Sequence, residues 1–252
     1  MKARAVLFLV LIGPSSAFAQ VPATPPAYRI APFAVADQRQ FTPEQLAILE
    51  KLNRLDVVHL ARLTEVIAPD AWRDDELEYS PMPRDWTWAA QFPKLIVVHQ
   101  PSQVFGAYEN GRLVRWGPVS TGRAERPTPA GFFHLTWRAR SRRSTENNAW
   151  ILNWYFNFIN ERGISFHEFE LPGRPASHAC VRLLERDAKW LYDWGTEWQL
   201  SPDRTQVAAE GTPVLIFGTY NFKRPPPWLA LAWWAQPLTL PQDPLAAVPI
   251  VR

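Results

Sequence analysis

The sequence predicts a mainly β protein whose central domain carries one main helix. A helical N-terminal extension and a Pro/Trp-rich C-terminal segment flank that domain. Three observations predict this. From Lys94 onward, short apolar and aromatic runs are separated by turn residues. Proline is abundant, at 25 of 252 residues, which suits turns and extended arms over long helices. Sustained helical periodicity is confined to the stretch after residue 42 and to residues 185–194. Hydrophobic residues make up 47% and charged residues 20%, a globular balance and not a disordered one.

Residues 1–19 read as a secretory signal peptide. Lys2 and Arg4 form its positive start, Ala5 to Gly13 its apolar run, and Ala17-Phe18-Ala19 a small-x-small cleavage site. The expectation is therefore export, with a mature chain starting at Gln20, working in the periplasm or cell envelope without a transmembrane anchor. Residues 20–92 form a Pro-rich arm followed by helices. Thr42 is placed to cap, Pro43 suits the first helical position and Gln45 completes a capping box, after which Leu46, Leu49, Leu52 and Leu55 recur at helical spacing. Residues 93–219 are the central domain. Leu95–Val98 is a compact strand run. Val104–Tyr108 and Leu113–Trp116 flank Asn110-Gly111, a strong hairpin turn. Further strands are expected near Phe132–Trp137, Trp150–Ile159 and Val214–Phe217, and a helix over Glu185–Trp194 stopped by Gly195. Residues 220–252 carry Pro225-Pro226-Pro227 with Trp228, Trp233 and Trp234, too aromatic for a disordered tail, and are expected to dock on the central domain.

Composition also excludes. The net charge of +3 is too small to predict nucleic-acid binding. A single cysteine rules out an intramolecular disulfide framework and every multi-cysteine metal site. That cysteine lies in Ser177-His178-Ala179-Cys180-Val181-Arg182, with His167 upstream in Ser165-Phe166-His167-Glu168. A thiolate is a strong nucleophile, and a nearby imidazole both lowers a thiol pKa and shuttles its proton. On an extended segment His178, Cys180 and Arg182 would share one face. Arg182 could then hold a carboxylate, and backbone N–H groups near Ala179 and Cys180 could stabilise an oxyanion. Zinc held by His167, His178 and Cys180 is the competing reading, but no fourth ligand or familiar zinc spacing accompanies them. His59, His99 and His134 read as structural.

The run Ser177–Arg182 resembles the Ser-His-Gly-Cys-apolar-Arg/Asn signature of L,D-transpeptidases of the YkuD type. Pro118-Val119-Ser120-Thr121-Gly122, followed by Pro127-Thr128-Pro129-Ala130-Gly131, is similar to that family's segment before the catalytic loop. Asp187–Tyr192 resembles its following helix, and Gly211–Val214 its closing strand. The resemblance covers most of residues 93–219 and implies a YkuD-like β-sandwich or mixed sheet. It implies Cys180 as the acylated nucleophile, His167 as general base oriented by a backbone carbonyl such as that of Glu168, and His178 supporting the oxyanion region. It implies Arg182 as a holder of the peptide stem. Ser177, Ala179, Glu168, Tyr155 and Trp154 complete the expected substrate-binding set. The implied activity is peptidoglycan cross-linking between stem peptides through a thioester, joining diamino acid residues or running from the donor L-Ala to a diamino acid. Neither metal nor organic cofactor is needed, and carbapenem β-lactams are expected inhibitors.

The sequence departs from the family pattern at several points. Ala179 stands where glycine is usual, the His167–Cys180 spacing is short, and Glu168 follows His167. Residues 138–163, with Arg138, Arg140, Arg142, Arg143, Trp150, Trp154 and Tyr155, read as a substrate-covering lid of a divergent branch. Two other functions stay open at this point. One is a carboxypeptidase or endopeptidase that cuts stem peptides or wall-protein links on the same scaffold. The other, of a different class, is a non-catalytic wall-binding module.

Overall fold

The computed structural model describes residues 25–34 and 39–248, so the signal-peptide reading lies outside the described residues. The N-terminal extension begins with a strand, β1 (Tyr28–Pro32), that pairs antiparallel with β2 (Glu65–Pro69). Between them, α1 (Pro43–Asn53) starts at the expected capping box: Thr42 accepts from the Gln45 backbone N–H, and the Gln45 side chain accepts from the Thr42 N–H. A one-turn helix, α2 (Val57–Leu60), is capped by Asp56. The Pro-rich arm thus ends in a paired strand, which composition alone did not indicate.

The central domain is a nine-stranded mixed sheet. Its strands are β3 (Lys94–His99), β4 (Val104–Glu109), β5 (Arg112–Ser120), β6 (Gly131–His134), β7 (Arg138–Arg143), β8 (Ile151–Ile159), β9 (Ile164–Glu168), β10 (Val181–Leu183) and β13 (Pro213–Phe217). The order is β6-β13-β3-β4-β5-β10-β9-β8-β7, with β13–β3 and β10–β9 parallel. The β4–β5 turn uses Asn110 and Gly111, both with positive φ, as a right-twisted hairpin requires. The chain leaving β6 then crosses to β8: Thr136 N–H donates to Asn157 O (2.8 Å) and Asn157 N–H to Trp137 O (3.0 Å). The sheet therefore curls until its two halves meet. The main helix, α3 (Glu185–Trp194), follows β10, and a small ribbon of β11 (Gln199–Leu200) and β12 (Val207–Ala209) leads to β13.

Both faces of β3 are buried, which is why it reads as an unbroken apolar run. Ile96 and Val98 face an inner core with Phe105, Phe156, Phe166 and Val181. Leu95 and Val97 face an outer core completed by Ile48, Leu52 and Tyr79 of the extension and by Trp228 and Trp234 of the C-terminal segment. Two polar clamps attach the extension to strands and helices near the cysteine. Asp56 N–H donates to Leu171 O (3.1 Å) while Leu171 N–H donates to Asp56 Oδ2 (2.8 Å), and Arg186 at the start of α3 pairs with Glu50 of α1 at 2.5 Å.

Candidate active site

Strands β9 and β10 build the site. Their parallel register sets Val181 beside Phe166 and Arg182 beside His167. Alternation along a strand then divides the residues by face. Phe166 and Val181 enter the inner core, while His167 and Arg182 face an open cleft. One step earlier on each chain, Cys180 meets Ser165, whose Oγ lies 3.6 Å from Sγ.

The expected extended run from His178 to Arg182 is not what forms. The chain turns at 177–180, and Ala179 adopts φ +84°, a left-handed conformation that costs a Cβ-bearing residue on the order of 1 kcal/mol or more. His178 and Cys180 reach the same cleft through this turn and not through strand alternation. The turn is held by neighbours. Ser177 Oγ donates to Cys180 O, and Thr128 Oγ1 donates to Ala179 O (2.8 Å) while accepting from Gly122 N–H (2.8 Å). A side chain at Gly122 would meet Arg126 O at 2.1 Å and Thr128 N at 2.6 Å, so the close approach demands glycine. The Gly122 and Thr128 segments thus buttress the residue before the cysteine.

His167 is buried, 3% exposed, and its Nδ1 lies 2.8 Å from Glu168 O. A carbonyl only accepts, so Nδ1 carries the proton and Nε2 keeps its lone pair. Burial, with Arg182 nearby, pushes the His167 pKa down to about 4 despite that carbonyl, so the imidazole is neutral near pH 7. Burial raises the Cys180 thiol above its ordinary value, while hydrogen bonds from Ser165 and the Arg182 charge work against the rise. The resting pair is therefore a neutral thiol and a neutral base. Arg182 is buried against Phe169, its guanidinium 4.5 Å from the ring centroid, and that burial lowers its pKa from the ordinary value.

The cleft encloses about 450 Å³. Its far wall is the β7–β8 hairpin, the segment expected to act as a lid, which contributes Arg142, Trp150 and Tyr155. Trp150 packs over His178 at 5.3 Å and on Phe169 at 5.8 Å, and Glu146 of the hairpin loop accepts from Arg126 (2.7 Å). Tyr155 is anchored from below: its hydroxyl donates to Gly163 O (3.1 Å) and accepts from Asn157 Nδ2 (3.0 Å).

Of the residues singled out from sequence, Cys180, His167, His178, Arg182, Ser177 and Tyr155 line the cleft together. Trp154 does not. An irregularity in β8 between Asn153 and Phe156, with Trp154 at φ +54°, shifts the alternation by one. Trp154 is thereby turned into the inner core against Tyr192, with Arg140 over its ring. Glu168 serves through its carbonyl, since its side chain accepts from Asn153 Nδ2 (3.2 Å), and Ala179 serves through its backbone. Sequence reasoning missed Ser165, although its place two residues before His167 on a strand was a usable signal. It also missed Trp137, Arg162 and Phe169, which arrive from loops and strand ends.

The family model for the L,D-transpeptidase catalytic domain, YkuD, matches residues 93–216. That segment carries Cys180, His167, the turn and its buttress. This domain belongs to the YkuD family. Solved structures similar to the chain include an L,D-transpeptidase from Stackebrandtia nassauensis, 24% identical over 51% of this chain and 57% of that one, TM-score 0.41. Another is an L,D-transpeptidase from Mycobacterium tuberculosis, 22% identical over 50% and 58%, TM-score 0.40. A third is L,D-transpeptidase 3 of Mycobacterium tuberculosis in complex with a faropenem-derived adduct, 19% identical over 50% and 61%, TM-score 0.39. This chain spans less than two thirds of the length of each of these three, and the family assignment rests on the domain match and not on them. No curated protein matches the sequence. Among the described residues, no helix is long and apolar enough to cross a membrane.

Proposed function

We propose that this protein is a peptidoglycan L,D-transpeptidase that works outside the cytoplasmic membrane through a Cys180 thioester. The observation that carries the reading is the neutral His167 imidazole. It is fixed by the Glu168 carbonyl so that Nε2 is free to take a proton, in the same cleft as the lone cysteine. As Sγ attacks a donor-stem carbonyl, Nε2 takes the thiol proton. The N–H groups of the 178–180 turn receive the oxyanion. Collapse expels the amine of the next residue, which leaves with the proton from His167, and a thioester remains. An acceptor amine attacks that thioester, His167 removes its surplus proton, and Sγ departs to recover it as thiol. Water in place of the amine gives carboxypeptidase activity. The attacked carbonyl belongs to the L-centre of a diamino acid or to the donor L-Ala. A carbapenem would acylate the same sulfur.

The test incubates the mature chain and its Cys180→Ala variant with muropeptides and analyses them by mass spectrometry. New cross-linked dimers made by the native chain and missing with the variant are expected, and their fragmentation identifies the donor residue. Loss of a terminal residue or a cross-link without dimers replaces the transpeptidase with a hydrolase. No change in either sample, with retained binding to sacculi, replaces both with a wall-binding module.

A further inference from the structure

The cleft around Cys180 is lined by four arginines, Arg142, Arg143, Arg162 and Arg182, and by one acidic residue, Glu146. Glu146 is paired with Arg126 at 2.7 Å and offers the four little compensation. None of the four lies in ion-pair range of a carboxylate among the described residues. Their neighbours in the basic run are spent elsewhere: Arg138 pairs with Glu197 at 3.2 Å, and Arg140 lies over the Trp154 ring at 3.4 Å.

Three of these arginines are also held in place. Arg142 lies against two rings, 4.8 Å from the Trp137 centroid and 5.1 Å from that of Tyr155, and those rings pack on each other at 4.9 Å. Arg143 donates one N–H to Asn148 O (2.9 Å). Arg182 stacks on Phe169. A guanidinium fixed by its faces keeps its in-plane N–H edge for a partner, and that edge matches a carboxylate bidentately. One arginine beside the nucleophile suffices for one carboxylate. Arg142 and Arg143 lie on β7 of the hairpin and Arg162 at the β8–β9 connection, beside Gly163, whose carbonyl is 3.9 Å from Cys180 Sγ, and among the described residues none of the three is ion-paired.

We propose that the cleft has two carboxylate stations and selects donor peptides with at least two free carboxylates. Arg182 takes the group nearest the attacked carbonyl, and Arg142, supported by Arg143 and Arg162, takes one farther along the stem. The inference rests on the transpeptidase reading and deepens it. Amidation of the outer carboxylate removes the charge with almost no change in size, so an amidated donor is the discriminating probe.

The experiment compares two synthetic donor peptides, identical except that one has its outer carboxylates converted to carboxamides. Turnover is measured with the full chain, Arg142→Gln and Arg142→Lys, and direct binding is measured on Cys180→Ala with and without Arg142→Gln. The free acid should be preferred about tenfold or more in kcat/KM and in Kd, the range of a charge-assisted bidentate pair. Arg142→Gln should shrink the preference to threefold or less, and Arg142→Lys should restore part of it. Equal handling of the two peptides by the native chain overturns the two stations while leaving the transpeptidase in place. Failure to turn over either peptide defeats the transpeptidase reading, yet the binding arm still decides, since equal affinities overturn the stations. A preference unmoved by Arg142→Gln also overturns the assignment.

Discussion

Two regions of the molecule hold arginines against aromatic rings, and they use them in opposite ways. On the outer face, Arg54 at the end of α1 is fully buried in a cage of Trp116, Trp228, Trp233 and Trp234, 5.1–5.9 Å from their centroids. Two of its three nitrogens are given to main-chain oxygens: Nε to Ser102 O (3.1 Å), and Nη1 to Leu52 O (3.1 Å) and to Lys51 O, while Nη2 is buried among the rings without a hydrogen-bond partner. In the cleft, Arg142 and Arg182 lie on rings too, but their hydrogen-bond contacts within the chain are long, at 3.5 Å. The difference is where the guanidinium edge goes. An edge bound to carbonyls ties the extension to the β3–β4 connection, while the guanidinium packs against rings of β5 and the C-terminal segment. An edge left facing solvent in a cleft is available to a ligand.

The largest effect that can break this comparison is the loss of Arg54. Arg54→Leu should destabilise the protein by about 3 kcal/mol, because it empties part of an aromatic cage and removes the donor shared by three carbonyls. Urea midpoints measure this, and proteolysis should release the segment after Phe217 early. Arg142→Leu, in the half-open cleft, should stay within about 1 kcal/mol of the native chain. Similar losses for both variants would mean that the two arginines are not different in kind.

A smaller effect compares histidines in the same two regions. His99 lies at the end of β3, its Nδ1 2.6 Å from Ser102 Oγ, beside the carbonyl that Arg54 uses, and His167 lies in the cleft. Burial pushes both down from 6.5 to about 4. Between those values the unfolded chain binds protons that the folded chain refuses, so stability falls as pH falls from about 6.5 toward 4. Each histidine contributes a slope of up to about 1.4 kcal/mol per pH unit. Urea unfolding across that window should show the slope shrink by similar amounts in His99→Gln and His167→Gln, whereas activity should be lost only in the second. An unchanged slope in both would show that neither histidine is held neutral by the fold.

Legibility from sequence differed between the regions for a physical reason. The capping box at Thr42 and the Asn110-Gly111 turn are local, and each folded where its own residues direct, whereas the Ser177–Arg182 motif was legible in its residues but not in the turn they form. The Arg54 cage left no local trace, since its partners come from residues 102, 116 and 228–234, and only tertiary packing unites them. The β1–β2 pair was hidden likewise, its second strand following two helices. Trp154 was misplaced by one irregularity: a single extra residue in β8 exchanges the cleft face for the core face, and no composition rule marks where it falls. The left-handed Ala179 follows from the substitution of glycine in the motif, but its support by Thr128 required the fold.

The smallest effect concerns the hydroxyl beneath the nucleophile. Ser165 is fully buried, and its Oγ donates toward Cys180 Sγ. That hydrogen bond favours the thiolate, opposing the burial that raises the thiol pKa. Ser165→Ala removes the donor and leaves the Arg182 charge and the His167 imidazole in place, so the thiol pKa should rise further. Acylation near neutral pH should slow by about threefold to tenfold, the worth of a single hydrogen bond to a charged or developing-charge group. The decisive readout is the pH profile of reaction with a small neutral thiol reagent. Native and Ser165→Ala rates should differ below the thiol pKa and converge above it, where both sulfurs are already ionised. A uniform slowing at every pH would instead mean that Ser165 only packs against the turn, and that the cleft, like the Arg54 cage, uses that contact for structure alone.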